Sequence, residues 1–188
     1  MEIKEVKTKK ELNDFVYMPL ALYKNDPFYA SPLIKEMTKH LTDKNPFFAR
    51  AKLKLYIVYK DGKPVGRIAG IVNFAHLEFH NDKVGFFGLF ECINDKDVAF
   101  TLFDAVKKFL KENNLKIMRG PMNLSMNEEC GFLYEGFDTP SMLMIPYNPP
   151  YYNELTEAYG MKKVKDLYCY ITDVPSELPL KIVRIAQF

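Results

Sequence analysis

The sequence predicts an α/β domain whose mixed, largely antiparallel sheet is flanked by helices. Two observations carry that expectation. Residues 53–72, LKLYIVYKDGKPVGRIAGIV, place two β-rich apolar runs around a short Asp-Gly turn, the pattern of an antiparallel hairpin. From Asp97 onward, Val98, Leu102, Val106, Phe109 and Leu110 recur at the spacing of a helix that covers one face of a sheet. With 188 residues and a hydrophobic fraction of 48%, the chain has enough apolar surface for one core.

Taken in order, Glu2 to Lys7 alternates charged with apolar residues, as an edge strand does. Thr8 and Glu11 form a capping box for a helix with Leu12, Phe15 and Val16 on its inward stripe. That helix is expected to deform or stop near Pro19, because proline lacks the N–H that a helix interior needs. A second helix is expected to start at Ser31-Pro32 and to carry Leu33, Met37 and Leu41 on one face. In the hairpin, Leu53, Leu55, Ile57 and Tyr59 share a face. After a polar connection, KVGFFGLFEC from Lys83 to Cys92 supplies the next strand, with Phe86, Phe87 and Phe90 filling the core. The Asp97 helix closes at Asn113-Asn114, and Lys116 to Arg119 begins another strand. Tyr151 to Tyr159 reads as a short helix ended by Gly160, and Val164 to Val174 returns to strand character. VPSELP then reads as a linker and LKIVRIAQF as the start of a helix. This sets one domain at residues 1–174 and, over 175–188, a linker and helix leading towards a second domain.

Charge and cysteine usage exclude several classes. The 26 basic residues nearly balance 24 acidic ones, and the longest basic run, Lys7 to Lys10, is interrupted by Thr8, so a nucleic-acid footprint is not expected. No apolar stretch reaches the length of a membrane span and the amino terminus has no signal-peptide core, so a cytoplasmic protein without a membrane partner is expected. Cys92, Cys130 and Cys169 are widely spaced and odd in number, which argues against a disulfide framework or a zinc ribbon.

Residues 119–152, RGPMNLSMNEECGFLYEGFDTPSMLMIPYNPPYY, are too long and too rich in Gly and Pro for one regular element. A long ordered loop is where binding or catalysis concentrates. Met122, Met126, Phe132, Phe137, Met142, Met144 and Ile145 are expected to anchor it along the principal cleft. Cys130 with His76 or His80 could imitate a Cys-His pair, although a cysteine is more often a small buried hydrophobe. His76 and His80 have helical spacing but no third ligand, so no metal site is expected.

The element order, the hairpin YKDGKPVGRIAG and the segment PPYYNELTEAYGMKKV together resemble the GNAT superfamily of acyl-CoA N-acyltransferases, with Met161 in place of the family's Phe after Gly160. The stretch from Glu2 to about Asp173, with RGPMN, NEECG, EGFDTP and PYNPPYY, also looks like the amino-terminal half of a group of bacterial two-half GNAT-like proteins. The resemblance implies acetyl-CoA or another acyl-CoA as cofactor and a small-molecule amine as acceptor. It implies a second GNAT-like domain or a homo-oligomer as partner. It places the cofactor near Phe90, Cys92 and Ala99. Such an enzyme must deprotonate an ammonium, which makes Glu128 and Glu129 the general-base candidates, with Asn123, Asn127, Tyr147 and Asn148 as substrate-binding residues. The bland reading is that these are surface carboxylates and turn-forming asparagines.

Two departures from the family pattern bear on function. The pyrophosphate loop Q/R-x-x-G-x-G/A is represented by NDKDVA, Asn94 to Ala99, in which only Ala99 matches. Asp95 and Asp97 put carboxylates where phosphates would sit, so this chain alone is expected to bind acyl-CoA weakly or not at all. Thr156 stands where many members have the tyrosine that reprotonates the leaving thiolate, with Tyr151, Tyr152 and Tyr159 as neighbouring substitutes. The alternative to an acyltransferase is therefore a non-catalytic GNAT-like half that binds a ligand or packs on a catalytic one.

Overall fold

The structure, a computed structural model, describes residues 1–42, 44–140, 142–171 and 173. A five-stranded sheet in the order β1-β2-β3-β4-β5 forms its centre, and only the β4/β5 pair is parallel. The strands are β1 (Glu2–Glu5), β2 (Ala51–Lys60), β3 (Lys63–Asn73), β4 (Val84–Cys92) and β5 (Ile117–Arg119). The hairpin turns through Asp61 and Gly62, both at positive φ, which an Asp-Gly pair tolerates well. Alternation sorts its side chains as expected: Leu53, Leu55, Ile57 and Tyr59 pack on one side of the sheet, and Tyr56 and Val58 on the other.

On one face lie helix α1 (Lys9–Leu22) and helix α2 (Ile34–His40). The capping box of Thr8 and Glu11 forms as the sequence predicts. Pro19 lies in the last turn of α1, which runs on to Leu22, and the deformation expected there is confined to one broken backbone bond. Proline costs a helix the bond to the carbonyl four residues earlier, and here Arg67 Nη1 donates to that Phe15 oxygen at 2.9 Å instead. The start of α2 also differs from expectation: the Ser31 hydroxyl bonds Pro32 O, Leu33 is the N-cap without a side-chain bond, and Leu33 is exposed. The inward residues are Ile34, Met37 and Leu41.

The opposite face is covered by α4 (Lys96–Glu112) and α5 (Tyr151–Ala158). Val98, Leu102, Val106, Phe109 and Leu110 are all buried, as their spacing requires. The connection between β3 and β4 is a short helix, α3 (Phe74–His80), capped by Asn73. The strand expected over 164–174 is not formed in residues 164–171 and 173: alternation is present, but Val164, Leu167, Tyr168, Tyr170 and Ile171 are exposed and no strand pairs with them. A period-two pattern needs an edge to bond to before it becomes a strand. The linker and helix expected over 175–188 lie outside the described residues. Among the described residues no helix is long and apolar enough to cross a membrane.

Candidate active site

Each central strand carries a single charge inside an apolar run, Arg67 in β3 and Glu91 in β4, and the two are register partners. A bulge decides which way they point. Between the pairs Ala69/Gly88 and Arg67/Glu91, β4 has one residue more than β3, and Leu89 sits at φ 49. Val84, Phe86 and Leu89 face α1, whereas Phe87, Phe90 and Cys92 face α4. The extra residue re-phases the strand, so that Glu91 follows Leu89 onto the α1 side instead of entering the α4 core.

There Glu91 is held from three directions. Its Oε2 accepts the hydroxyls of Tyr23 at 2.7 Å and Tyr152 at 2.8 Å, while Oε1 lies 3.8 Å from Arg67 Nη2. The side chain keeps 13% exposure. Burial raises the Glu91 pKa, opposed by the Arg67 charge and the two tyrosine bonds. Arg67 is itself buried, lies 5.0 Å from the Phe15 ring centroid, and leaves Nε without a partner. Tyr29 stacks on Tyr23 at 4.0 Å and has its pKa pushed up to about 12 by burial and by Glu91. Tyr147 tilts against both rings at 5.9 and 6.3 Å, so the carboxylate sits beside an aromatic wall.

The loop residues singled out in the sequence divide into three groups. Asn123 bridges the site: its Oδ1 accepts the bulge amide of Leu89 at 2.8 Å and its Nδ2 donates to Glu129 Oε2 at 3.1 Å. The Glu129 pKa is raised by the protein packed around its carboxyl, lowered in part by Asn123, and raised by Glu128; the residue nevertheless stays exposed, so the push from burial is moderate. Glu128 bonds His40 Nε2 at 2.9 Å, and Asn45 approaches His40 Nδ1 at 3.2 Å. Asn127 is exposed, and its backbone N–H donates to Ser125.

Tyr147 donates to Asp26 at 2.8 Å on the wall of a cleft of about 590 Å³. Leu22, Phe28, Phe137 and Pro150 supply much of its apolar lining. Asn148 is buried and spends its amide on Leu133 N at 2.7 Å and Pro149 O at 2.9 Å, so it pins the loop. The anchoring differs from expectation. Met122 and Leu124 are buried, but Met126, Met142 and Met144 are exposed, because the loop backbone is secured by these amides and by Asn123. Cys130 bonds Ser125 O, while His76 bonds Asp82 and packs on His80 at 4.3 Å, so no contact joins the cysteine to either histidine. Among the described residues no group of three His, Cys, Asp or Glu could hold a metal ion.

The residues expected near a cofactor, Phe90, Cys92 and Ala99, lie in the core between the sheet and α4. The first amides of α4 do not fit a diphosphate. Asp97 N and Val98 N both donate to Asp95 Oδ1, at 2.9 and 3.3 Å, and Lys60 pairs with Asp95 Oδ2 at 3.3 Å. Thr156 donates to the Tyr152 and Asn153 carbonyls inside α5. Tyr151 donates to Cys92 O and Tyr159 to Asp104, so their hydroxyls are also engaged.

Glu91, Arg67, Tyr23 and His40 are the residues that sequence reasoning missed, and Tyr152, named as a possible proton donor to a thiolate, is instead engaged with Glu91 and Cys92 N. The signal for the first two was present: an isolated charge within a continuous apolar strand must find a partner, and each strand has one. Nothing local marks His40 or Tyr23.

No family model matches the sequence. The bacterial ceramide synthase of Caulobacter vibrioides (strain NA1000 / CB15N) is 36% identical over 176 residues, 93% of this chain and 46% of that protein. Protein YghO of Escherichia coli (strain K12) is 35% identical over 162 residues, 86% of this chain and 42% of that protein. The chain thus spans about half the length of the curated relatives it matches. Among solved structures, the aminoglycoside 6'-N-acetyltransferase AAC(6')-IG of Acinetobacter haemolyticus superposes with a TM-score of 0.57 at 11% identity, over 93% of this chain and all of the other. A tandem GNAT protein from the clavulanic acid biosynthesis pathway superposes with a TM-score of 0.57 at 13% identity, over 85% of this chain and 43% of that one. The chain has the fold of the GNAT acetyltransferases.

Proposed function

We propose that this GNAT-fold chain binds a long-chain primary amine and is the acceptor-handling part of an acyl-CoA-dependent N-acyltransferase. The observation that carries the reading is Glu91: a largely buried carboxylate with Oε2 fixed by two tyrosines, beside an aromatic wall whose Tyr147 also lines a cleft of mixed polar and apolar surface. Likeness to a ceramide synthase supports it, since a ceramide is the amide of a long-chain amino alcohol, and forming that amide is an N-acylation.

In this reading the ammonium enters between Glu91 and Glu129, whose charges draw it out of water. Glu91 Oε1 accepts its proton, and a raised pKa suits that task. Asn123 holds Glu129 in place, His40 holds Glu128 as a second carboxylate, and the exposed Asn127 contacts the acceptor. Tyr147 and Asp26 receive the polar end of the amino alcohol, and the apolar wall of the cleft takes the alkyl chain. The acyl donor supplies the activated carbonyl. An acyl-CoA role and three free cysteines fit a cytoplasmic protein.

The test is equilibrium binding of a long-chain amino alcohol and of its N-acetyl derivative to the wild-type chain and to Glu91→Gln. The amine should bind at least about tenfold more tightly than the neutral amide, and Glu91→Gln should remove most of that margin. Equal affinity for both compounds, or a margin untouched by Glu91→Gln, would sink the reading.

A further inference from the structure

We infer that the acyl-donor face of this domain is closed by its own side chains, so that the domain holds the acceptor while a different protein surface presents the donor. The inference rests on the acyltransferase reading for the identity of the donor, but its evidence is separate from the Glu91 site.

A diphosphate and an amide-bearing thioester arm bind a sheet edge and a helix start through unpaired backbone groups and positive charge. Here those groups are taken one after another. The Leu89 amide, turned aside by the bulge, is capped by Asn123 at 2.8 Å. Cys92 N donates to Tyr152 at 2.8 Å, and Cys92 O accepts from Tyr151 at 2.8 Å. At the start of α4, Asp95 takes the amides of Asp97 and Val98 and also Lys60, the cation that would otherwise meet a phosphate. Asp97 adds a second negative charge in the same turn.

Shape agrees with hydrogen bonding. β5 pairs with β4 only along Val84 to Phe86, and beyond that point the loop lies directly on β4. Met122 N donates to Phe87 O at 2.8 Å, and a Cβ on Gly88 would stand 2.0 Å from Met122 O. The gap beside β4 is filled by the chain itself. A ligand entering there would have to break satisfied bonds and displace backbone, whereas the Glu91 side chain on the α1 side keeps 13% exposure. The partner surface is therefore one that keeps free amides and positive charge for a CoA diphosphate. The matched relatives are roughly twice as long as the stretch they share with this chain, which leaves room in them for such a surface.

The experiment titrates acetyl-CoA into the 188-residue chain by calorimetry, with amide NMR of Leu89 and Cys92 as a second readout. The expected dissociation constant is weaker than about 100 µM, with both amides unmoved. A tighter constant accompanied by shifts at these amides overturns the inference. Asp95→Ser with Asp97→Gly keeps a helix cap while removing both charges, and should strengthen binding at least about fivefold. A double variant that melts cooperatively and binds acetyl-CoA more tightly than about 10 µM also overturns it, because the Leu89 and Cys92 groups stay capped in that variant. Neither substitution should alter binding of the long-chain amine, so loss of the Glu91 reading and loss of this one are told apart.

Discussion

Pro19 and Arg67 act as one structural unit. The proline frees the Phe15 carbonyl, the guanidinium takes it, and the same guanidinium faces Glu91, whose other oxygen is held by Tyr23 from the end of α1. Arg67→Gln therefore removes the positive charge beside a buried carboxylate and should cost about 3 kcal/mol in urea unfolding. The sign of the pH effect follows from the cause. Burial raises the Glu91 pKa in the folded chain, so its share of stability falls as pH rises from the ordinary glutamate range through the raised value. Because Arg67 opposes that rise, Arg67→Gln should move the Glu91 carboxyl titration, read by carbon NMR, to higher pH. A titration that stays put or moves down would show that the pair is not coupled. Among the residues chosen from sequence, Asn123 and Glu129 meet at this site, whereas Asn148 is committed to its own loop.

At the level of elements, the cap of α4 and the bulge of β4 make the sharpest expectations. Asp95→Ala should destabilise by about 1 kcal/mol at neutral pH, the usual cost of losing an acidic N-cap. Desolvation works against the Asp95 charge, but bonds from Val98, Lys60 and Asp97 outweigh it and lower its pKa. Its contribution is thus present above the ordinary aspartate range and lost as pH falls through the lowered value, so the gap between wild type and Asp95→Ala should begin to narrow only below about pH 4 and close at the lowered value. Gly88→Ala meets a backbone oxygen that cannot swing away, and should cost more than about 3 kcal/mol. Gly62→Ala, at φ 75 in an open turn, should cost only about 1 kcal/mol. Similar losses for the two glycines would mean that β4 and the loop are not in direct contact.

At the scale of the whole molecule, the loop of residues 119–152 joins the sheet to the cleft through a few buried points. Leu124 is fully buried against the α1 face, and Leu124→Ala should cost about 2–5 kcal/mol. Leu143, 92% exposed, should tolerate Leu143→Ser within about 0.5 kcal/mol. Comparable losses at both positions, measured by thermal or urea unfolding, would show that the methionine-rich tip is an anchor after all.

The sequence by itself determined the fold class, the hairpin and its two faces, the α4 stripe with its cap, and the loop that carries much of the candidate site, because local periodicity and turn chemistry act over a few residues. Asp95 and Asp97 were also legible as a poor match for phosphate. Only tertiary structure decided the rest. Pro19 stays inside a helix because Arg67, 48 residues later in the chain, supplies the missing donor. Residues 164–171 alternate like a strand but meet no edge. Glu91 joins the site because one extra residue in β4 reverses its facing, and a bulge is a relation between two strands that neither sequence segment contains alone.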